Sequence, residues 1–344
     1  MTAREIIQRR LAHKGTAETP YTVAFEPELL ARLNAHYGGQ DWLHTLLKEY
    51  TVSFLSVDTV RLEQVDEVYS RDALGAMWRM DKRPWHIEGN PLPEPTLQGY
   101  RFPDSALFTE PVLRDKPRAI AQYEADHEHY RIINMGWGIF EALWRLRGFE
   151  NALTDLLLEE EFCFEATQRL TDLYVDMLRA CEDVPADAFL FGDDWGDQRG
   201  VIMGAKTWRK YFKPCWARIY EEVHRQGKVA VQHSCGSIWE IYDDLIEIGM
   251  DAHESVQPEA HGMEPERLQA IYGDRLSFWG CLGSQGILNH GTPEEIRAEI
   301  FRLAALFRDK GGYVLAPAKP LVDEMPLEKA IAVIEALRDI NHGI

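Results

Sequence analysis

Eight short apolar runs rich in β-forming residues punctuate this chain, and segments of helical periodicity separate the later ones. The runs are TVAFEP (22–27), TVSFLSVD (51–58), RIINMGWG (131–138), AFLFGDDWG (188–196), KVAVQHSCG (228–236), MDAHESVQ (250–257), LSFWGCLGS (276–284) and GGYVLAPAK (311–319). Near-continuous apolar strands suit a parallel sheet covered on both faces, and the intervening helices supply the cover. Eight such units favour a closed (β/α)8 TIM barrel over an open sheet.

Apolar positions recur at three- and four-residue spacing over 151–183, 206–226 and 237–248. Pro214 should kink or break the second of these helices. Thr292-Pro293-Glu294-Glu295 opens another with an N-cap, a first-turn proline and acids. Residues 326–340 form the last. Residues 66–104, rich in Pro, Trp and charge, break the alternation. They read as an insertion over one end of a single barrel domain spanning 1–344.

Composition narrows the function classes. The net charge of −19 repels phosphate backbones, and no basic cluster offsets it, so nucleic-acid binding is not expected. No apolar run approaches the roughly 18 residues of a membrane helix, and the N-terminus lacks a signal-peptide core. Cys163, Cys181, Cys215, Cys235 and Cys281 are odd in number and scattered. They form no disulfide framework and suit a reducing cytoplasm.

In a barrel the active site lies at the strand C-termini. One strand ends in Gln232-His233-Ser234-Cys235-Gly236. On a strand, residues i and i+2 share a side, so an imidazole and a thiol would face one pocket, a donor pair that suits zinc. The next strands supply Glu254, with Gln257 beyond it, and Cys281. His233, Cys235, Glu254 and Cys281 are therefore the candidate metal ligands. The plainer alternative makes the cysteines small buried hydrophobes and His233 a hydrogen-bonded polar group. A second group is Gly192-Asp193-Asp194-Trp195-Gly196-Asp197-Gln198. Packed carboxylates raise one another's pKa, which suits Asp193 or Asp194 to acid work or to orienting a substrate; Asp and Gly also make turns and helix caps. Asn134, Trp137, Gln198, Gln257 and Lys319 are the candidate substrate contacts, with packing or solvation as the alternative. Walker A, dinucleotide-binding, nucleophile-elbow and H-E-x-x-H patterns are absent.

From Gly192 onward the chain resembles the uroporphyrinogen decarboxylase superfamily, which includes the zinc-dependent corrinoid methyltransferases. The matching stretches are GDDWGDQ, VAVQHSCGSIWEIYDDLIEIGMD, SVQPEA, YGDRLSFWGCLGSQGIL, HGTPEEI and GGYVLAPAK, with a weaker similarity at DALGAMWR and LQGYRFPD. The resemblance implies a (β/α)8 barrel with its site in the C-terminal mouth. The decarboxylases carry an R-Q-A-G-R segment that binds porphyrin carboxylates and a histidine after the last strand; this chain lacks the first and has Lys319 at the second. The methyltransferases carry H-x-C and a later cysteine on zinc. His233 and Cys235 match the first two, and Cys281 would have to replace the third, with Glu254 or Gln257 as fourth ligand or an open position. The resemblance thus implies an enzyme in which zinc activates a thiol for methylation from a corrinoid. The corrinoid would sit on a separate partner protein, since no D-x-H-x-x-G motif is present. A decarboxylase of a tetrapyrrole or small acid, with His233 and Asp193 or Asp194 binding and protonating it, is the second implication. A non-catalytic barrel that binds such a molecule is the third. The resemblance also admits a homodimer.

Overall fold

The computed structural model describes residues 1–309 and 311–341. Seven parallel strands form the main sheet: β1 (Thr51–Ser56), β6 (Tyr130–Trp137), β7 (Ala188–Gly192), β8 (Val229–His233), β9 (Ala252–Val256), β10 (Ser277–Leu282) and β11 (Tyr313–Pro317), side by side in that order. Four further strands, β2 (Glu63–Gln64), β3 (Tyr69–Arg71), β4 (Met77–Arg79) and β5 (His86–Gly89), make a separate antiparallel sheet. Every residue of β10 and β11 is buried, as a sheet covered on both faces requires.

The main sheet curls into a TIM-barrel-like fold. At the eighth place the expected strand 22–27 forms only isolated parallel bridges, Tyr21 to Leu315 and Phe25 to Leu321. Pro20 stands two residues before the segment and Pro27 ends it, and neither has an N–H to give to a longer ladder. On its other side the Tyr21 ring meets Tyr50, just before β1, edge-on at 5.2 Å.

Helices pack outside the strands. The expected 151–183 helix is two, Phe149–Leu158 and Glu160–Ala180. The expected 206–226 helix breaks at Phe212, and Pro214 occupies the first turn of the second half. Thr292 and Glu295 form a reciprocal capping box on Pro293–Leu306. The first helix, Ala3–Leu11, closes the N-terminal end of the sheet. Its Ile6 and Ile7 are buried, and the Arg10 guanidinium donates to the carbonyls of Phe307, Arg308 and Glu18. The C-terminal end is left for a site.

The small sheet, 63–89, overlaps the segment expected to be an insertion, and one buried ion pair fixes it to the barrel. Arg145 Nε donates to Asp72 Oδ2 at 2.9 Å, with both side chains almost wholly out of solvent. Trp78 Nε1 donates to the same oxygen at 2.9 Å, and the Trp78 ring packs on Trp137 at 5.5 Å. Trp137 ends β6, so the insertion lies beside the C-terminal mouth.

Candidate active site at the strand C-termini

Strand register assembles the site. Gly192 at the end of β7 is paired with His233 at the end of β8, and His233 with Glu254 in β9. Alternation then sorts the side chains. Gln232 and His253 are buried against Tyr220 and Tyr242 on the helix side, which turns His233 and Glu254 to the inside.

Asp194, His233 and Cys235 come together, their donor atoms all within 4.8 Å of one another. His233 Nε2 is 3.5 Å from Cys235 Sγ and 3.6 Å from Asp194 Oδ1. The other ring nitrogen, Nδ1, lies 2.5 Å from Glu254 Oε2. Asp194 Oδ1 also accepts the Cys235 N–H at 2.8 Å, which sets the loop after β7 on the loop after β8. Burial opposes a charge on His233, but Glu254 and Cys235 outweigh it and hold its pKa well above the ordinary histidine range.

The loop after β8 is fixed from behind. The Ser234 hydroxyl accepts the Trp195 N–H, and the Ser234 carbonyl accepts from His253 Nε2 at 3.0 Å. His253 Nδ1 in turn accepts the Tyr242 hydroxyl proton at 2.7 Å. Full burial lowers the His253 pKa to about 4, so it is a neutral strut.

Other expected residues stand elsewhere. Asp193 is fully buried. Its carboxylate accepts from the Phe140 and Glu141 N–H groups at 3.1 and 3.0 Å and from Trp195 Nε1 at 2.8 Å. It thus serves the first turn of the Ile139–Arg147 helix instead of facing the mouth. Cys281 does not join the cluster. Gly280 and Cys281 both have positive φ, +133° and +69°, and the β9–β10 register slips at this point. That break upsets the i, i+2 alternation. The Cys281 thiol is fully buried, and the charges acting on it are Arg302, Glu266 and Glu299 of outer helices. Burial raises its pKa, which leaves it a thiol.

Of the expected substrate contacts, Gln257 is buried and accepts the Gly236 N–H at 3.2 Å. The Asn134 side chain accepts the Gly136 N–H at 2.8 Å and shapes a turn. Trp137 is wedged among Trp78, Trp144 and the Arg145 guanidinium. Gln198 is exposed and reaches Gln285 at 3.4 Å, and Lys319 is exposed just past β11.

Glu141 is the acid that sequence reasoning missed. Its carboxylate lies beside Gly192, with Oε2 3.9 Å from where a Cβ on that residue would stand. Burial, then the charges of Asp193 and Asp194, raise its pKa to about 8. Burial pushes Asp193 up as well, but three donors hold Asp193 as the anion, whereas Glu141 has one contact of 3.4 Å from Gly138. Glu141 is therefore the more readily protonated of the two. The signal in the sequence is Gly138 followed three residues later by Glu141 at a helix start, which also reads as ordinary capping.

Residues 137–340 match the sequence model of the family described as Uroporphyrinogen decarboxylase (URO-D). No curated protein sequence matches the chain. Among solved structures, a methyltransferase from Methanosarcina mazei superposes with a TM-score of 0.73 at 18% identity, covering 98% of this chain and 98% of that one. D-Psicose 3-epimerase with D-tagatose from Clostridium cellulolyticum H10 gives a TM-score of 0.38 at 10% identity, over 67% of this chain and 81% of that one.

Proposed function

The chain belongs to the uroporphyrinogen decarboxylase (URO-D) family, and on that premise we propose that it is a methyltransferase whose metal site is His233, Cys235 and Asp194. The observation that carries this reading is the geometry of the three donors. Tetrahedral zinc with bonds of roughly 2.0–2.3 Å has donor–donor edges of about 3.3–3.8 Å. The 3.5 and 3.6 Å separations from His233 Nε2 fit such edges. Glu254 on Nδ1 supplies the carboxylate that orients a metal-bound histidine and raises its basicity. Three protein donors leave a fourth position open, the pattern of a catalytic zinc. The Methanosarcina mazei methyltransferase, alike in fold along its whole length, supports the choice of branch.

His233, Cys235 and Asp194 would hold zinc, which when bound would supply the Lewis acidity that favours the thiolate of an incoming thiol near neutral pH. The chain's own residues do the rest. Glu254 fixes the ring of His233 with Nε2 toward the open position. Asp194 holds the Cys235 backbone, which keeps the Cys235 sulfur beside His233 Nε2. The carboxylates keep the mouth acidic, which disfavours a polycarboxylate porphyrin and favours an uncharged or cationic acceptor. The methyl donor in this reading is a corrinoid on a partner protein.

The test is methyl transfer from methylcobalamin to a simple thiol, read as thioether formed. Activity that chelation removes and zinc restores is the expected result. Metal-independent conversion of uroporphyrinogen to coproporphyrinogen, with no thioether formed, would establish the decarboxylase reading in its place.

A further inference from the structure

The loops after β9 and β10 leave two enclosed polar atoms with no hydrogen-bond partner, Glu259 Oε2 and Ser284 Oγ. The two residues adjoin. The Glu259 carboxylate lies against Gly283, the residue before Ser284, so closely that a Cβ on Gly283 would stand 2.3 Å from Oε1. A Cβ on Gly286 would stand 3.0 Å from the same oxygen, and the Gly286 N–H donates to it at 2.5 Å. Side chains are thus missing at two positions where they would displace one carboxylate. That carboxylate has one oxygen satisfied and the other unmatched, and the unmatched hydroxyl belongs to the residue that follows Gly283. Enclosed polar atoms in a native fold ordinarily find partners in protein, water or a ligand, so this half-buried pair is open to a ligand that can replace water.

The subsite shares the mouth with the metal cluster. Gln257, two residues before Glu259, accepts the N–H of Gly236, the neighbour of Cys235. The His261 N–H donates to the Gln198 carbonyl at 3.0 Å, and the Gln198 side chain reaches Gln285, next to Ser284, at 3.4 Å. That last contact is near the long limit for a hydrogen bond, and an arriving ligand exchanges it readily. A carboxylate oxygen only accepts, and a hydroxyl both accepts and donates. A protonated amine, with three N–H donors and a positive charge, answers both.

We propose that Glu259 and Ser284 form a subsite for a protonated amine, so that the acceptor activated at His233, Cys235 and Asp194 is an amine-bearing thiol. The second clause rests on the metal-site reading above; the first does not.

Cobalt(II)-substituted protein separates the two, because thiol coordination to cobalt produces a charge-transfer absorption band. Cysteamine, 3-aminopropanethiol and 4-aminobutanethiol are titrated against plain alkanethiols of equal length. At one length the aminothiol binds about tenfold or more tightly, as charge-assisted hydrogen bonding leads one to expect. Glu259→Gln removes that preference and leaves the plain thiol's affinity unchanged, and Ser284→Ala reduces it. Equal binding at every length, or a preference that survives Glu259→Gln, overturns the proposal. If no thiol alters the cobalt spectrum, the metal-site reading fails instead. Calorimetry with propylammonium then decides the subsite alone: binding that Glu259→Gln abolishes sustains it, and the absence of binding to the unaltered protein overturns it.

Discussion

His233 is placed between a carboxylate on one ring nitrogen and a thiol and second carboxylate on the other. Removing each neighbour should have a distinct effect. Cys235→Ala deletes a donor and should lower zinc content to a trace. Glu254→Gln keeps the shape but weakens the orienting bond, and zinc affinity should fall about 10–100-fold in competition with a chelator. Cys281→Ala should leave zinc content unchanged and cost about 1–2 kcal/mol of stability by denaturant titration, since a fully buried group is lost. Sequence spacing brought His233 and Cys235 to one place, but Glu254, expected as a metal ligand, lies on the opposite ring nitrogen of His233, and Asp194, expected as an acid, stands in the cluster instead. Spacing failed for Cys281, because the positive φ at Gly280 and Cys281 breaks the alternation and no residue pattern announces that. Asp193 was legible as a carboxylate of consequence, yet the choice between acid and helix cap depended on the Phe140 and Glu141 N–H groups, more than fifty residues away. The strut His253 offers a pH test. Burial lowers its pKa to about 4 from an ordinary value of about 6.5. The unfolded chain takes up that proton between those values and the folded chain does not, so stability is full above about 6.5 and is lost as pH falls toward 4. A variant His253→Gln should show a shallower decline over this window in urea titrations.

At the level of elements, the break in the strand–helix rhythm between 66 and 104 overlaps the small sheet β2 to β5. What anchors it was not legible, because Asp72 and Arg145 are 73 residues apart in sequence and each alone reads as a surface charge. Asp72→Ala would leave Arg145 buried without its counter-ion. The expected cost is about 3–5 kcal/mol. Hydrogen exchange should rise first in β3 and β4, ahead of β8. Exchange that rises evenly over the whole chain would mean that the pair supports the barrel and not the insertion alone. The eighth barrel place is the other element at which sequence and structure part. TVAFEP has the composition of a strand, but the chain there makes only isolated bridges, Tyr21 with Leu315 of β11 and Phe25 with Leu321 beyond it.

Across the whole molecule, a closed N-terminal end, a parallel sheet and an insertion beside the mouth leave the C-terminal loops as the place for chemistry. Alternating apolar runs and helices were enough to anticipate that architecture, since they determine which faces must be buried. No helix among the described residues is long and apolar enough to cross a membrane. Two carboxylates, Asp194 and Glu254, flank one imidazole at the mouth. Such a mouth attracts a divalent cation and repels a polyanion. The most direct measurement is zinc content by mass spectrometry of protein purified without chelator, combined with zinc X-ray absorption to count sulfur ligands. The expected result is one zinc per chain with a single sulfur, retained in Cys281→Ala and lost in His233→Ala. Zinc far below one equivalent, or two sulfurs in the coordination shell, would contradict the account.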